Sequence, residues 1–202
     1  VRPLAPALVL CTWCSAFVCA LSLPTPAHAA PPTAQESFER SRAELIELVD
    51  AKAKPARVEA EVDRLLDYTW LAHTALGGSE RYAERCADQC AAFEALLTAL
   101  IRRNYLRMLA EHRKGEVEVL GAEVRERATK IDTRVELRVA GKTKRVHVDY
   151  VMHEVQGSWQ LRDIITEGVS LARTYRYEIH TLYTKGGMDE VMRALQAKLD
   201  ER

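Results

Sequence analysis

Few side chains in this sequence could do chemistry, and they are scattered. His147, Asp149 and His153 recur at even spacing, so an extended strand would carry all three on one face. Two imidazoles and a carboxylate hold a metal ion or relay a proton only where they converge. Six residues of extended chain put the two histidines ~20 Å apart, so they cannot share one ion. The three read as a solvated outer face, with no metal site. Asp163 is placed differently. In Trp159-Gln160-Leu161-Arg162-Asp163-Ile164-Ile165, alternation puts its carboxyl on the face of Trp159, Leu161 and Ile165. An acid facing an apolar interior is how a lone general base is placed. No electrophilic partner accompanies it, so the expected role is structural: a carboxylate tied to backbone N–H groups or to an arginine where the strand passes into a helix. The sequence holds no P-loop, no glycine-rich dinucleotide turn, no His-Glu-x-x-His and no Gly-x-Ser-x-Gly after position 30, and no catalytic residue is assigned.

The cysteines are equally quiet. Cys11, Cys14 and Cys19 fall in the first thirty residues; Cys86 and Cys90 stand four apart at a helix start. Mid-helix neighbours at that spacing have Cβ atoms ~5–6 Å apart, whereas a disulfide wants ~3.8 Å, so a bridge requires Cys86 at a non-helical cap position. The spacing leaves free and bridged thiols open, and no further ligands follow at metal-binding spacing.

The elements that must position these residues are legible from periodicity. Residues 1–30 carry one early base, Arg2, an uncharged apolar run from Leu4 to Leu23, and small residues in Ala27-His28-Ala29. This fits a signal peptide cut after Ala29 or Ala30. Pro3, Pro6, Pro24 and Pro26 leave fewer than the ~20 clean apolar residues of a membrane span, and Val18 before Cys19 is too large for lipoprotein processing. Residues 31–36 read as a short tether and 37–202 as one domain. From Ser37 to about Lys114 the period is helical, with three or four helices punctuated by Pro55, Gly77-Gly78 and Gly115. After Gly115 it changes to two. Ile131, Thr133, Val135, Leu137 and Val139 alternate with charged residues, Gly141-Lys142-Thr143 turns the chain, and Val146, Val148, Tyr150 and Met152 line the partner strand. With a strand near Val117–Val124 and another after Gln156-Gly157-Ser158, this predicts a four-stranded antiparallel meander. Two apolar stripes, Leu171 to Leu182 and Met188 to Leu199, predict two C-terminal helices separated at Lys185-Gly186-Gly187. The expected class is α+β, with helices on one sheet face.

Charge narrows the function. Losing Arg2 with the signal leaves 28 of the 29 bases against 29 acids. That balance excludes a basic nucleic-acid module and a polybasic membrane anchor, but not lipids held by their tails.

The second half carries a resemblance. Val148-Asp149-Tyr150, Gly157-Ser158-Trp159 running into Arg162-Asp163-Ile164-Ile165, Glu167-Gly168-Val169-Ser170-Leu171, Tyr175-Arg176 and Lys185-Gly186-Gly187 closely resemble the MlaC family, periplasmic phospholipid carriers also called toluene-tolerance proteins. Leu66-Asp67-Tyr68, Ala75-Leu76-Gly77, Phe93 with Leu96 and Leu97, and Val117-Glu118-Val119-Leu120 extend it over almost the whole mature chain. Cys86-Ala87-Asp88-Gln89-Cys90 departs from it, standing where the family has a Ser/Thr-Pro-Glu-Gln helix start without thiols.

The resemblance implies a periplasmic monomer with phospholipid as cargo and no cofactor. Its implied partners are an outer-membrane lipoprotein complex and an inner-membrane ABC transporter complex, and the acyl chains lie between sheet and helices. A nine-residue strand spans ~30 Å against ~15 Å of hydrocarbon in one leaflet, so the dry face is long enough. The expected lining is Val135, Leu137, Val148, Tyr150, Met152, Trp159 and Leu161 from the sheet, with Leu97, Leu100, Val169, Leu171 and Tyr175 from the helices. For Arg176, in the family's Tyr-Arg, the resemblance leaves two roles, meeting a phosphate or pairing with Asp163. The structural pair with Asp163 is the expectation, because a carrier that holds lipid by its tails needs little headgroup contact. Two rival readings are a cavity enzyme using Asp163 as base and a periplasmic chaperone for apolar segments.

Overall fold

The chain enters the fold earlier than the tether reading allows. The computed structural model describes residues 31–112, 115–139 and 142–201, so the expected signal peptide lies outside the described residues. Thr33 and Glu36 form a reciprocal capping box: the Glu36 N–H donates to Thr33 Oγ1 at 3.2 Å, and the Thr33 N–H donates to Glu36 Oε2 at 2.8 Å. Helix α1 (Ala34–Asp50) therefore starts inside residues 31–36, with Ala34 buried. Pro32 is held too, its carbonyl accepting from the Trp159 indole N–H at 3.0 Å. Pro32–Arg202 forms one compact unit.

Helix α2 (Pro55–Leu65) opens on a proline, whose missing N–H costs nothing at the first helical position. Asp67 caps α3 (Tyr68–Ala75), and Gly77-Gly78, both at positive φ, separate it from α4 (Ser79–Cys86). After one 3₁₀ turn, Ala87–Gln89, α5 (Cys90–His112) runs up to the sheet. Five helices thus stand where three or four were expected, because the glycine pair and the 3₁₀ turn cut one periodic stretch into short pieces. Ala87 takes φ 48°, which breaks the helix between the cysteines; their Cα atoms lie 4.8 Å apart and the two are joined by a disulfide.

The sheet is an antiparallel meander, β1 (Val117–Val124), β2 (Ala128–Val139), β3 (Lys142–Val155), β4 (Ser158–Thr166) and β5 (Val169–Ser170), in that spatial order. It has five strands rather than the expected four. The fifth is two residues long and shows no alternation to read; its signal is the turn before it. Glu167-Gly168 repeats the positive-φ pair of Gln156-Gly157, the backbone of a tight two-residue hairpin. The strong register of β2 and β3 pairs Ile131 with Tyr150, Thr133 with Val148 and Val135 with Val146 on the dry face, and sets Asp132, Arg134 and Glu136 opposite Asp149, His147 and Arg145 on the wet one.

Strand β4 departs from simple alternation. The register shifts between Val151 and Met152, which pair with Asp163 and Leu161, so Arg162 is an extra residue with no partner on β3. Leu161 and Ile164, three apart, are therefore both buried, and Ile164 rather than the expected Ile165 pairs with Tyr150.

Helix α6 (Leu171–Asp200) closes the fold. Gly186 and Gly187 leave helical geometry inside it, Gly187 at φ 64°, so the two expected helices are two segments of one helical run. The largest fully buried side chains, among them Leu45, Leu76, Phe93, Leu97, Met152 and Leu161, form one core between helices and sheet. Each contributes ~1.5–3 kcal/mol of burial. The parallel bridge Leu66–Leu161 and the bond from the Asp67 N–H to the Leu161 carbonyl, 3.1 Å, pin the α2–α3 junction to β4.

Candidate functional site

Two apolar cavities, each of about 200 Å³, lie between the sheet and the helices and share three wall residues, Tyr105, Met108 and Ile164. Tyr105 and Met108 come from α5, three apart on one helical face with Ile101 a turn earlier; Ile164 is the residue that the β4 bulge turns inward. The first cavity, open on one side, is further lined by Leu66, Leu71, Ile101, Leu161, Leu171, Ala172 and Tyr175, with Asn104, Arg107, Arg162 and Asp163 as its polar residues. The second runs along the dry face of β2 and β3, past Val135, Leu137, Val146, Val148 and Tyr150, under Phe38 and Ile46 of α1. Phe38 packs on Tyr150 with ring centroids 4.4 Å apart.

Several polar groups at these cavities are tied to the scaffold, while Arg107, which lines the first, makes only a 3.4 Å hydrogen bond to the Asn104 side chain among the described residues. The Asn104 amide donates to the Tyr175 hydroxyl at 3.2 Å, tying α5 to α6. Arg42 donates to the Gly115 carbonyl at 3.3 Å. Burial pushes the phenols of Tyr105, Tyr150 and Tyr175 up from their ordinary value, so all three stay neutral. Asp163 accepts from Ser170 Oγ at 2.6 Å and from the Ala172 N–H at 2.9 Å, while Ser170 Oγ accepts from the Arg173 N–H at 3.1 Å. Its carboxylate thus sits at the start of α6, where the helix leaves two of its four free N–H groups to be satisfied by these side chains. Each of its two oxygens accepts one hydrogen bond, one from the Ser170 side chain and one from the backbone of α6.

The expected lining separates into three groups. Leu161, Leu171 and Tyr175 line the first cavity, and Val135, Leu137, Val148 and Tyr150 the second. Leu97, Leu100 and Met152 are solid core, at most 3% exposed, and line neither. The apolar stripe of α5 is wide: its first turns are packed among helices, and only from Ile101 onward does it face the gap. Trp159 and Val169 line neither cavity: Trp159 is spent on Pro32, and Val169, on the short edge strand, is 64% exposed. Arg176 does not reach Asp163; it lies in a separate recess beside Arg173. The sequence reading missed Ile164, Met108 and Phe38. Only the bulge could have revealed the first, while the other two sit on helical stripes that core and cavity wall share.

The outer sheet face holds the one cluster among the described residues with ligand-like geometry. Potential donor atoms of Asp132, His147 and Asp149 lie within 4.8 Å of one another. Lys130 already sits there, its Nζ 2.8 Å from Asp132 and 3.6 Å from Asp149, and supplies the positive charge. The Lys130 bond holds the Asp132 carboxyl below its ordinary value, while burial pushes that of Asp149 up. His153 belongs elsewhere, with Nδ1 3.2 Å from Arg162 Nη1 and its ring stacked near Trp70. Arg162 in turn bonds Asp67 at 2.8 Å, and Arg102 grips Asp63 through two bonds of 2.6 and 2.7 Å, so the open polar groove between them is internally neutralised.

Comparison with known proteins agrees with this architecture. The family model described as MlaC protein matches residues 33–197. A phospholipid-binding protein from Ralstonia solanacearum, solved in complex with a phospholipid, superposes with a TM-score of 0.68 at 18% identity, covering 83% of this chain and 97% of that one. At that identity the likeness establishes the fold. The solution structure of a SEC-C motif protein from Rhodopseudomonas palustris reaches only a TM-score of 0.27 at 14% identity, covering 62% of this chain and 90% of that one. No curated protein matches the chain.

Proposed function

The chain belongs to the MlaC family, and from that premise we propose that it carries phospholipid, holding acyl chains between sheet and helices. The observation that carries this reading is the pair of apolar cavities that meet at three shared lining residues, Tyr105, Met108 and Ile164. Each, at about 200 Å³, is below the ~300 Å³ at which ligand pockets begin; together they pass it. Of the shared residues, Met108 is unbranched and flexible, so it is the one that can repack between the two spaces. Repacking there would join the space above β2 and β3 to that under α6. The phospholipid bound by the Ralstonia protein of the same fold supports the same use here.

The energetics explain why a carrier is needed. At ~0.8 kcal/mol per methylene, exposing a sixteen-carbon chain to water costs on the order of 12 kcal/mol. A protein interior lined by leucine, valine and aromatic side chains removes most of that cost, and transfer to and from a bilayer becomes nearly neutral. Direction then comes from a partner that consumes energy, which we assign to an inner-membrane ABC transporter complex, with an outer-membrane lipoprotein complex at the other end. The periplasm is the matching compartment, reached through the segment 1–30, and the Cys86–Cys90 disulfide suits an oxidising one.

Native mass spectrometry of the protein purified without detergent, followed by lipid extraction, tests the proposal. A stoichiometric phospholipid adduct is expected. A lipid-free mass in a folded protein that also takes up nothing from liposomes would refute it.

A further inference from the structure

The second face of α6 does something else. Leu171 and Tyr175 point to the cavity, whereas Arg173, Arg176 and His180 line a recess of about 270 Å³ that α6 shares with Arg81 and Arg85 of α4. Four arginines and a histidine line it, and no acid is in the lining. In a chain with equal numbers of acids and bases, this is a strong local excess.

The recess is built. Arg85 is fixed from two sides, its Nη1 donating to the Leu76 carbonyl at 3.0 Å and its guanidinium lying 5.1 Å from the centre of the Tyr183 ring. Gly77, at φ +102°, makes room for it: a Cβ there would stand 3.3 Å from Arg85 Nη1 and 3.4 Å from Arg81 Cδ. Arg81, Arg173 and Arg176 form no ion pair among the described residues, in contrast to Arg102, Arg134, Arg145 and Arg162, each of which has its carboxylate. Like charges held together without counter-charge repel, and an anion seated among them removes that cost. Planar guanidinium forks match the oxygens of a phosphate. On the rim, Tyr177 is 73% exposed, an aromatic beside cations as at the headgroup level of a bilayer.

We infer that this recess seats the phosphate of an anionic lipid headgroup at a bilayer surface, docking the protein there through a site separate from its apolar cavities. The site does not require the cavities to hold lipid, so the two can fail independently. Its strength is set by local charge and is lost with salt.

The test is co-sedimentation with vesicles of phosphatidylcholine alone and of phosphatidylcholine mixed with phosphatidylglycerol, at stepped ionic strength, with lipid content measured in parallel by mass spectrometry. Binding to the anionic vesicles only is expected. Arg173→Ala or Arg176→Ala should each weaken it about fivefold and the pair about 25-fold. Both side chains are exposed, so folding should persist, and Arg134→Ala on the sheet serves as the charge control with binding unchanged. Equal binding by the double variant would overturn the inference. Displacement by inorganic phosphate beyond that by chloride of matched ionic strength is expected as well, since both would fill one phosphate seat, whereas saturable binding of inorganic phosphate by a protein that ignores anionic vesicles would overturn the inference and reassign the recess to the free anion. Failure of the intact protein to bind anionic vesicles would likewise overturn it and turn attention to an acidic protein partner.

Discussion

Replacing Asp163 by Asn tests how α6 is attached over the cavity. The carboxylate accepts two hydrogen bonds, from Ser170 Oγ at 2.6 Å and from the Ala172 N–H at 2.9 Å. An amide has one acceptor oxygen, so one of the two donors would face an NH₂ group instead. A hydrogen bond to a charged acceptor is worth ~1.5–3 kcal/mol, and the helix N-terminus also loses its negative charge. We expect Asp163→Asn to cost about 2 kcal/mol, which for a chain of this length lowers Tm by about 4–8 °C. Ser170→Ala removes the N-cap and should cost about 1 kcal/mol alone. Because Ser170 Oγ donates to Asp163 while accepting from Arg173, the two effects should couple by ~0.5–3 kcal/mol in a double-mutant cycle. Thermal and urea unfolding followed by circular dichroism measures all four proteins, and lipid content reports whether the loosened α6 still retains cargo. If Asp163→Asn unfolds within ~0.5 kcal/mol of the parent, or the effects of the two substitutions simply add, the carboxylate does not hold α6 as described. A variant of unchanged stability that had lost turnover of a small apolar substrate would instead revive the enzyme reading.

Ile164→Trp puts a bulkier group into the wall both cavities share; it should cost ~1–3 kcal/mol and yield folded protein without lipid on native mass spectrometry. Replacing Cys86 and Cys90 together by Ala opens a loop of five residues, so chain entropy predicts a loss of about 2 kcal/mol in denaturant titration with lipid binding kept. His153 has a depressed pKa because of burial and then Arg162, so the native state binds protons more weakly than the unfolded chain. Its contribution to stability is therefore present above the unfolded value near 6.5 and is lost as pH falls from there through the native value; His153→Gln should flatten that part of the stability–pH curve.

The short-range features of this fold are written in its residue order. The change of period from helical to two after Gly115 separates helices from sheet. The alternation of Ile131 to Val139 sets the dry and wet faces of β2, and Gly157 marks the β3–β4 hairpin. These are local because each follows from a backbone conformation and the side chains within a few residues of it. The motifs around Tyr150, Trp159 and Glu167-Gly168 were enough to place the chain beside the MlaC family. The Asp163 carboxylate could be expected at a helix start, since the strand visibly gives way to a helix there.

What the tertiary structure decided is which face of each element meets empty space. Alternation counts residues from one end of a strand, so the single extra residue Arg162 exchanged Ile165 for Ile164 and no periodicity could show it. On α5 the apolar stripe is continuous from Phe93 to Leu109, and whether Leu97 or Met108 meets a neighbour or a gap depends on where α2, α3 and α6 come to rest. Arg176 follows Tyr175 in the chain, yet the helix turns the two to different sides, one against the cavity and the other into the basic recess. Residue order fixes direction along one element; the surroundings of a side chain are set by elements far away in sequence, and cavities and charge clusters exist only where those elements meet.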